Sequence, residues 1–277
     1  MKEDEKSPRK EGSRDKVLPS VPVPIQLSRR QTIVTVNTAN PFDVFSERII
    51  IAMVGLPARG KSYLSKAIVR YMNFLGCPTQ LFHAGNVRRE MNLAGTDANF
   101  FDTNNEQGKA LREKMAMMCL DQCLAYVSDH GATGCRVAIL DATNTTRERR
   151  KNVLQKCLQH AKDKDPSLRL MYLESLADDV QLLEQNYRMK LSNGDYQDKD
   201  PEQALADFRQ RVAKYEAVYE PISDEEATQN QFRYIQLYNA GQKMITRGME
   251  GFVMRKIQRL MGSVHLRART IWCVHVL

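Results

Sequence analysis

Two stretches of this chain carry residue types at spacings that could perform phosphoryl chemistry. The first is Gly55-Leu56-Pro57-Ala58-Arg59-Gly60-Lys61-Ser62. It fits G-x-x-x-x-G-K-[ST], a loop whose backbone N–H groups wrap a β-phosphate. Its lysine reaches the β- and γ-phosphates, and its hydroxyl can ligate Mg²⁺. At average residue frequencies the bare pattern arises by chance in roughly one chain in a hundred of this length. The second is Leu140-Asp141-Ala142-Thr143-Asn144-Thr145-Thr146-Arg147. An Asp at the carboxyl end of a buried strand points into the crevice where α/β proteins bind ligands. There it can hold Mg²⁺ through water or accept the proton of an attacking hydroxyl. The catalytic candidates are Asp141 and Lys61, and the metal candidates are Ser62 and Asp141.

Such residues work only if rigid elements hold them. Residues 49–54 (IIIAMV) form a continuous apolar run of the kind a strand buried on both faces needs. The glycine-rich loop follows it, and residues 63–76 read as an amphipathic helix, the context the loop motif requires. Further strands are predicted at 78–84, 136–140, 168–173 and 234–237. Helices are predicted at 104–129, 147–161, 178–191, 201–219 and 242–261. Strands alternate with helices, which predicts a mainly parallel sheet with helices on both faces, like that of P-loop NTPases.

The 277 residues carry 41 Lys+Arg against 33 Asp+Glu, a net charge of +8, which favours anionic ligands. Residues 1–47 hold five prolines and mixed charges with no long periodic pattern. They are expected to form a disordered regulatory tail, with a kinase domain over 48–263. No run of eighteen apolar residues and no apolar leader segment occurs, so neither a membrane span nor secretion is expected. The six cysteines (77, 119, 123, 135, 157 and 273) show no C-x-x-C spacing. They are expected to be packed free thiols in a reducing, cytoplasmic setting.

A GTPase would need an N-K-x-D base-reading motif, and none is present. Arginines gather instead: Arg88, Arg89, Arg112, Arg147, Arg149, Arg150, Arg188 and Arg211. Bidentate guanidinium groups suit the phosphate of an anionic acceptor. No aromatic platform is interleaved with them, so nucleic acid is not the expected partner. The residues alone leave open a small-molecule kinase, a polynucleotide kinase, or a nucleotide-binding remnant that regulates a partner. The intact Lys61, Ser62, Asp141 and Thr143 speak against the remnant.

GLPARGKSY, GNVRRE, LDATNTTRERR and KYEAVYEP, in this order, resemble the kinase half of the 6-phosphofructo-2-kinase/fructose-2,6-bisphosphatase family. The resemblance covers residues 48–272. It implies transfer of the γ-phosphoryl group of ATP, with Mg²⁺, to the 2-hydroxyl of fructose 6-phosphate, giving fructose 2,6-bisphosphate. It implies an ATP loop from Gly55 to Tyr63, with Asn186 and Lys190 also on the nucleotide. It implies acceptor ligands Arg88, Arg112, Thr143, Arg149, Lys190, Arg211 and Tyr215, and a homodimer. Three departures stand out: Val87 replaces a tyrosine, NYRMKL is one residue shorter than the family's segment, and Leu176-Ala177 replaces a cysteine-bearing step. A fourth concerns residues 264–277, which begin the family's next strand. His275 is followed by Val276 rather than Gly-Glu, so no bisphosphatase activity is expected. Finally, Arg29-Arg30-Gln31-Thr32-Ile33 resembles a site for basophilic protein kinases, which makes Thr32 a candidate for regulatory phosphorylation.

Overall fold

The computed structural model describes residues 46–91, 98–102, 105–129, 134–191 and 200–264. Thr32, His275 and nearly all of the segments 1–47 and 264–277 therefore lie outside the described residues. The elements run β1 (Arg48–Val54), α1 (Lys61–Phe74), β2 (Thr79–His83), α2 (Ala84–Glu90), a 3-10 turn (Ala98–Phe101) and α3 (Glu106–Val127). They continue through β3 (Arg136–Asp141), α4 (Arg147–Asp163), β4 (Leu168–Leu176), α5 (Val180–Lys190) and α6 (Pro201–Glu216). The chain then forms α7 (Asp224–Gln229), β5 (Tyr234–Tyr238), β6 (Lys243–Arg247) and α8 (Gly251–Ser263).

The strands form one sheet in the order β2-β3-β1-β4-β5-β6. The first five are parallel, and β6 runs antiparallel to β5. Successive side chains on a strand point to opposite faces, and β1 shows the consequence. Ile50, Ala52 and Val54 enter a core with Leu120 and Leu124 of α3 and Val153 of α4. Ile49, Ile51 and Met53 enter a second core with Leu64 and Ile68 of α1 and Val253 and Ile257 of α8. Both faces are dry, which explains the unbroken apolar run. No described helix is long and apolar enough to cross a membrane.

Two expectations need correction. The helix predicted over 242–261 is a strand followed by a helix. Lys243–Arg247 pairs with β5 through residues that include Ile245 and Thr246, whose branched side chains suit a pleated surface. Gly248 and Gly251 then adopt φ values of 69° and 82°, which end the strand and restart the chain as α8. The carboxylate of Glu47 closes that restart, accepting from Phe252 N at 2.6 Å and Val253 N at 3.2 Å.

The second correction concerns cysteine. Cys77 and Cys135 are paired as a disulfide with Cα atoms 5.4 Å apart. The β2–β3 register is the physical cause, because Thr79 lies opposite Val137 and each cysteine stands two residues earlier. Parallel strands brought together across 58 residues leave no spacing signal in the sequence. Cys119, Cys123 and Cys157 are free and buried, as expected.

Candidate active site

At the end of β1 the chain enters the loop 55–60. Gly55 sits at φ 132°, and a Cβ there would come within 2.5 Å of Ser175 O, so only glycine fits. Gly60, at φ 86°, caps α1, whose first turn presents Lys61 and Ser62. A helix N-terminus combined with free loop N–H groups makes an anion cradle. The loop is tied to the second motif, because Gly55 N donates to Thr143 O at 2.9 Å. Asn144, buried at φ 43°, strengthens that tie by donating from Nδ2 to Met53 O at 2.8 Å.

Asp141 closes β3 and is 2% exposed. Its Oδ2 accepts from Ser62 Oγ at 2.8 Å. A hydroxyl and a carboxylate oxygen thus stand together, and hard oxygen donors of this kind suit Mg²⁺. The β2–β3 register sets His83 opposite Asp141. The His83 Nδ1 lies 3.1 Å from Asp141 O and 3.5 Å from Oδ2. Lys61 donates from Nζ to Leu56 O at 2.5 Å. Burial pulls its pKa down to about 7; Asp141 opposes that shift, and Lys190, Arg59 and Arg211 add to it. Lys190 is also lowered, first by burial.

These groups open onto one cavity of about 550 Å³. Its wall includes Pro57, Ala58, Gly60, Lys61, Ser62 and the half-exposed Tyr63. From α5 come Asn186 and Lys190, and the Asn186 Nδ2 also donates to Ala58 O at 3.0 Å. Elsewhere the same wall carries Arg88 from α2, Arg112 from α3, Arg149 from α4, and Arg211 and Tyr215 from α6, together with Asp141 and Thr143. Gly55, Leu56 and Arg59 belong to the loop's frame instead of the cavity wall. Arg59 turns to the helices behind the loop, donating to the Tyr187 hydroxyl at 3.1 Å and to Glu216 at 3.0 Å.

The arginine cluster divides by environment. Arg88, Arg112, Arg149 and Arg211 reach the cavity. Arg150 does not: it is fully buried, and its Nε and Nη2 donate to the two carboxylate oxygens of Glu226 at 2.8 and 2.6 Å. Its Nη1 donates to Asn144 O and Glu220 O, so it staples the loop after β3 to the chain after α6. Arg147 pairs with Glu220, Arg188 with Glu184, and Arg89 donates to Asn86. Sequence alone could not set Arg147 and Arg150 apart from the cavity arginines, because their carboxylate partners Glu220 and Glu226 are remote in the chain; Arg188 has its partner one helical turn away. Sequence reasoning also missed Phe100, Phe101, His83 and Glu113 on the cavity wall. Glu113 accepts from the Arg149 Nε. Register with Asp141 could have suggested His83; for the other three the signal is tertiary.

A glycine-rich loop at a helix N-terminus with an acid at the neighbouring strand's end, sharing one cavity with a second cationic wall, is an arrangement that P-loop proteins use for phosphoryl transfer. A family model described as 6-phosphofructo-2-kinase matches residues 38–266, and the chain belongs to that family. It is 38% identical over 229 residues to 6-phosphofructo-2-kinase 1 of Saccharomyces cerevisiae, covering 81% of this chain and 26% of that protein. A Schizosaccharomyces pombe relative bearing the 6-phosphofructo-2-kinase name is 40% identical over 227 residues, 82% of this chain and 33% of its own. The human 6-phosphofructo-2-kinase/fructose-2,6-bisphosphatase 3 is 34% identical over 228 residues, 82% of this chain and 42% of its own. The chain thus spans between a quarter and under a half of the length of these relatives.

Proposed function

We propose that this chain transfers the γ-phosphoryl group of ATP to the 2-hydroxyl of fructose 6-phosphate, forming fructose 2,6-bisphosphate. The observation that carries the reading is the single cavity on which Lys61, Ser62 and Asp141 share the wall with Arg88, Arg112, Arg149 and Arg211. The loop N–H groups and the α1 N-terminus bind the phosphates, with Lys61 neutralising charge that develops on the transferred group. Ser62 and Asp141 would hold Mg²⁺, which would supply positive charge to offset that of the phosphates. Asp141 accepts the proton of the attacking hydroxyl. The four arginines hold the acceptor's phosphate, and Thr143 and Tyr215 orient its hydroxyls. Fixed charge and orientation, which need no covalent intermediate, then do most of the catalysis.

The proposal extends, by family likeness, to self-association, a cytoplasmic setting and control by a protein kinase at Thr32. Phosphate incorporation lost in Thr32→Ala tests the last of these. The acceptor reading is tested by ATP consumption across a panel of sugar phosphates, sugars and oligonucleotides. Fructose 6-phosphate should give the highest kcat/KM, and preferred turnover of a sugar without a phosphate would remove the arginines' assigned role.

A further inference from the structure

The arginines of the acceptor wall do not stand alone. The 3-10 turn Ala98–Phe101 lies under them, and its two aromatic rings meet three of the four. The Arg211 guanidinium carbon is 3.9 Å from the Phe101 ring centroid, and that of Arg88 is 5.8 Å from the same centroid. Arg112 lies 5.7 Å from the Phe100 ring and donates to the Phe100 carbonyl. The Tyr215 ring packs on Phe101 at 5.7 Å. Neighbouring contacts hold the turn from both sides. Lys214 of α6 pairs with Asp102 at 3.0 Å, and a Cβ at Gly108 of α3 would come 2.7 Å from Phe100 O.

Arg88 and Arg211 come from α2 and α6, far apart in sequence, and both touch one ring that is 5% exposed. Two guanidinium groups gathered around one ring carry like charge, and that repulsion is present before any anion arrives. The negative face of an aromatic ring offsets part of that repulsion, and a desolvated ring does so more strongly than an exposed one. It also fixes where the planar forks lie, which reduces the rotamer freedom an incoming phosphate would otherwise have to freeze. A carboxylate in the ring's place would hold the same cations but would compete with the acceptor's phosphate.

We propose that Phe101 is a positioning residue that holds Arg88 and Arg211 ready for the phosphate of the acceptor. The inference rests on the acceptor reading given above and deepens it, because it assigns acceptor affinity to a side chain that makes no hydrogen bond to substrate.

The test compares wild type with Phe101→Leu, which keeps apolar bulk and removes the ring face, and Phe101→Tyr, which keeps the face. KM for fructose 6-phosphate, KM for ATP, kcat and melting temperature are measured for each. Phe101→Leu should raise KM for fructose 6-phosphate at least about five-fold, in line with the loss of desolvated cation–π contacts. KM for ATP and kcat should stay within two-fold, and Phe101→Tyr should restore the acceptor KM. If Phe101→Leu does not fold, Phe101→Met replaces it. Unchanged acceptor KM in the ring-less variant, equal rises for both substrates, or no rescue by tyrosine would each overturn the role of Phe101 while leaving the acceptor reading intact. Absence of wild-type turnover with fructose 6-phosphate would overturn both.

Discussion

At the scale of single residues, the site combines groups whose ordinary chemistry the fold has altered. A lysine with its usual pKa of 10.5 is fully charged at pH 8, but burial holds Lys61 at about 7 in the free protein. At pH 8 most of it is therefore neutral. A triphosphate beside it favours the ammonium form. Nucleotide binding should then take up a proton, so ATP affinity should fall as pH rises above about 7. Calorimetry at pH 8 in buffers of different ionisation enthalpy should show proton uptake in wild type and clearly less in Lys61→Met, where Lys190 is still left with a lowered pKa. Buffer-independent heats in wild type would contradict this assignment. Asp141→Asn should keep ATP affinity within a few-fold and lose most turnover, since an amide cannot accept the hydroxyl proton; normal kcat at saturating Mg²⁺ would reduce Asp141 to a partner of Ser62. Both residues were legible in the sequence because their motifs are contiguous. Phe101 and His83 were not, because a stacking face and a cross-strand neighbour exist only once distant segments meet.

At the scale of elements, α6 connects the two halves of the cavity. It carries Arg211 and Tyr215 on the cavity wall, and Glu216 one residue on holds Arg59 of the glycine-rich loop. Alanine at Arg88 or Arg211 should raise KM for fructose 6-phosphate far more than KM for ATP. Each lost charge-assisted contact should cost about 1.5–3 kcal/mol, read as the ratio of kcat/KM values. A loss confined to ATP would reverse the assignment of the two walls. The staple behind the catalytic loop is a matter of stability as well. Glu226→Ala leaves the fully buried Arg150 without its carboxylate and should destabilise the fold by about 3–5 kcal/mol. Urea unfolding with an unchanged slope measures it, and a loss under about 1 kcal/mol would mean that backbone carbonyls alone satisfy Arg150. The sequence revealed the parallel strands and long helices through unbroken apolar runs and helical spacing. It misread residues 242–261 because a short edge strand with the pattern KMITR mimics a helical turn, and only the partner β5 decides between them.

At the scale of the whole molecule, the sheet is buried on both faces, and the site lies where the chain leaves β1 and β3. That position follows from topology, since the carboxyl ends of parallel strands leave a crevice with helix N-termini around it. The disulfide between Cys77 and Cys135 ties the opposite ends of β2 and β3, away from Asp141 at the end of β3. It too was hidden from the sequence, because strand register alone brings the two thiols together. What the fold offers is one cavity on which the glycine-rich loop and a cluster of arginines share the wall. The most direct test is to incubate the purified chain with ATP, Mg²⁺ and fructose 6-phosphate and to identify the product. The expected result is one ADP per molecule of an acid-labile sugar bisphosphate, with mild acid returning fructose 6-phosphate, because the new ester is on the anomeric hydroxyl. An acid-stable bisphosphate, or ATP hydrolysis with no sugar product, would contradict the assignment of this cavity to 2-hydroxyl phosphorylation.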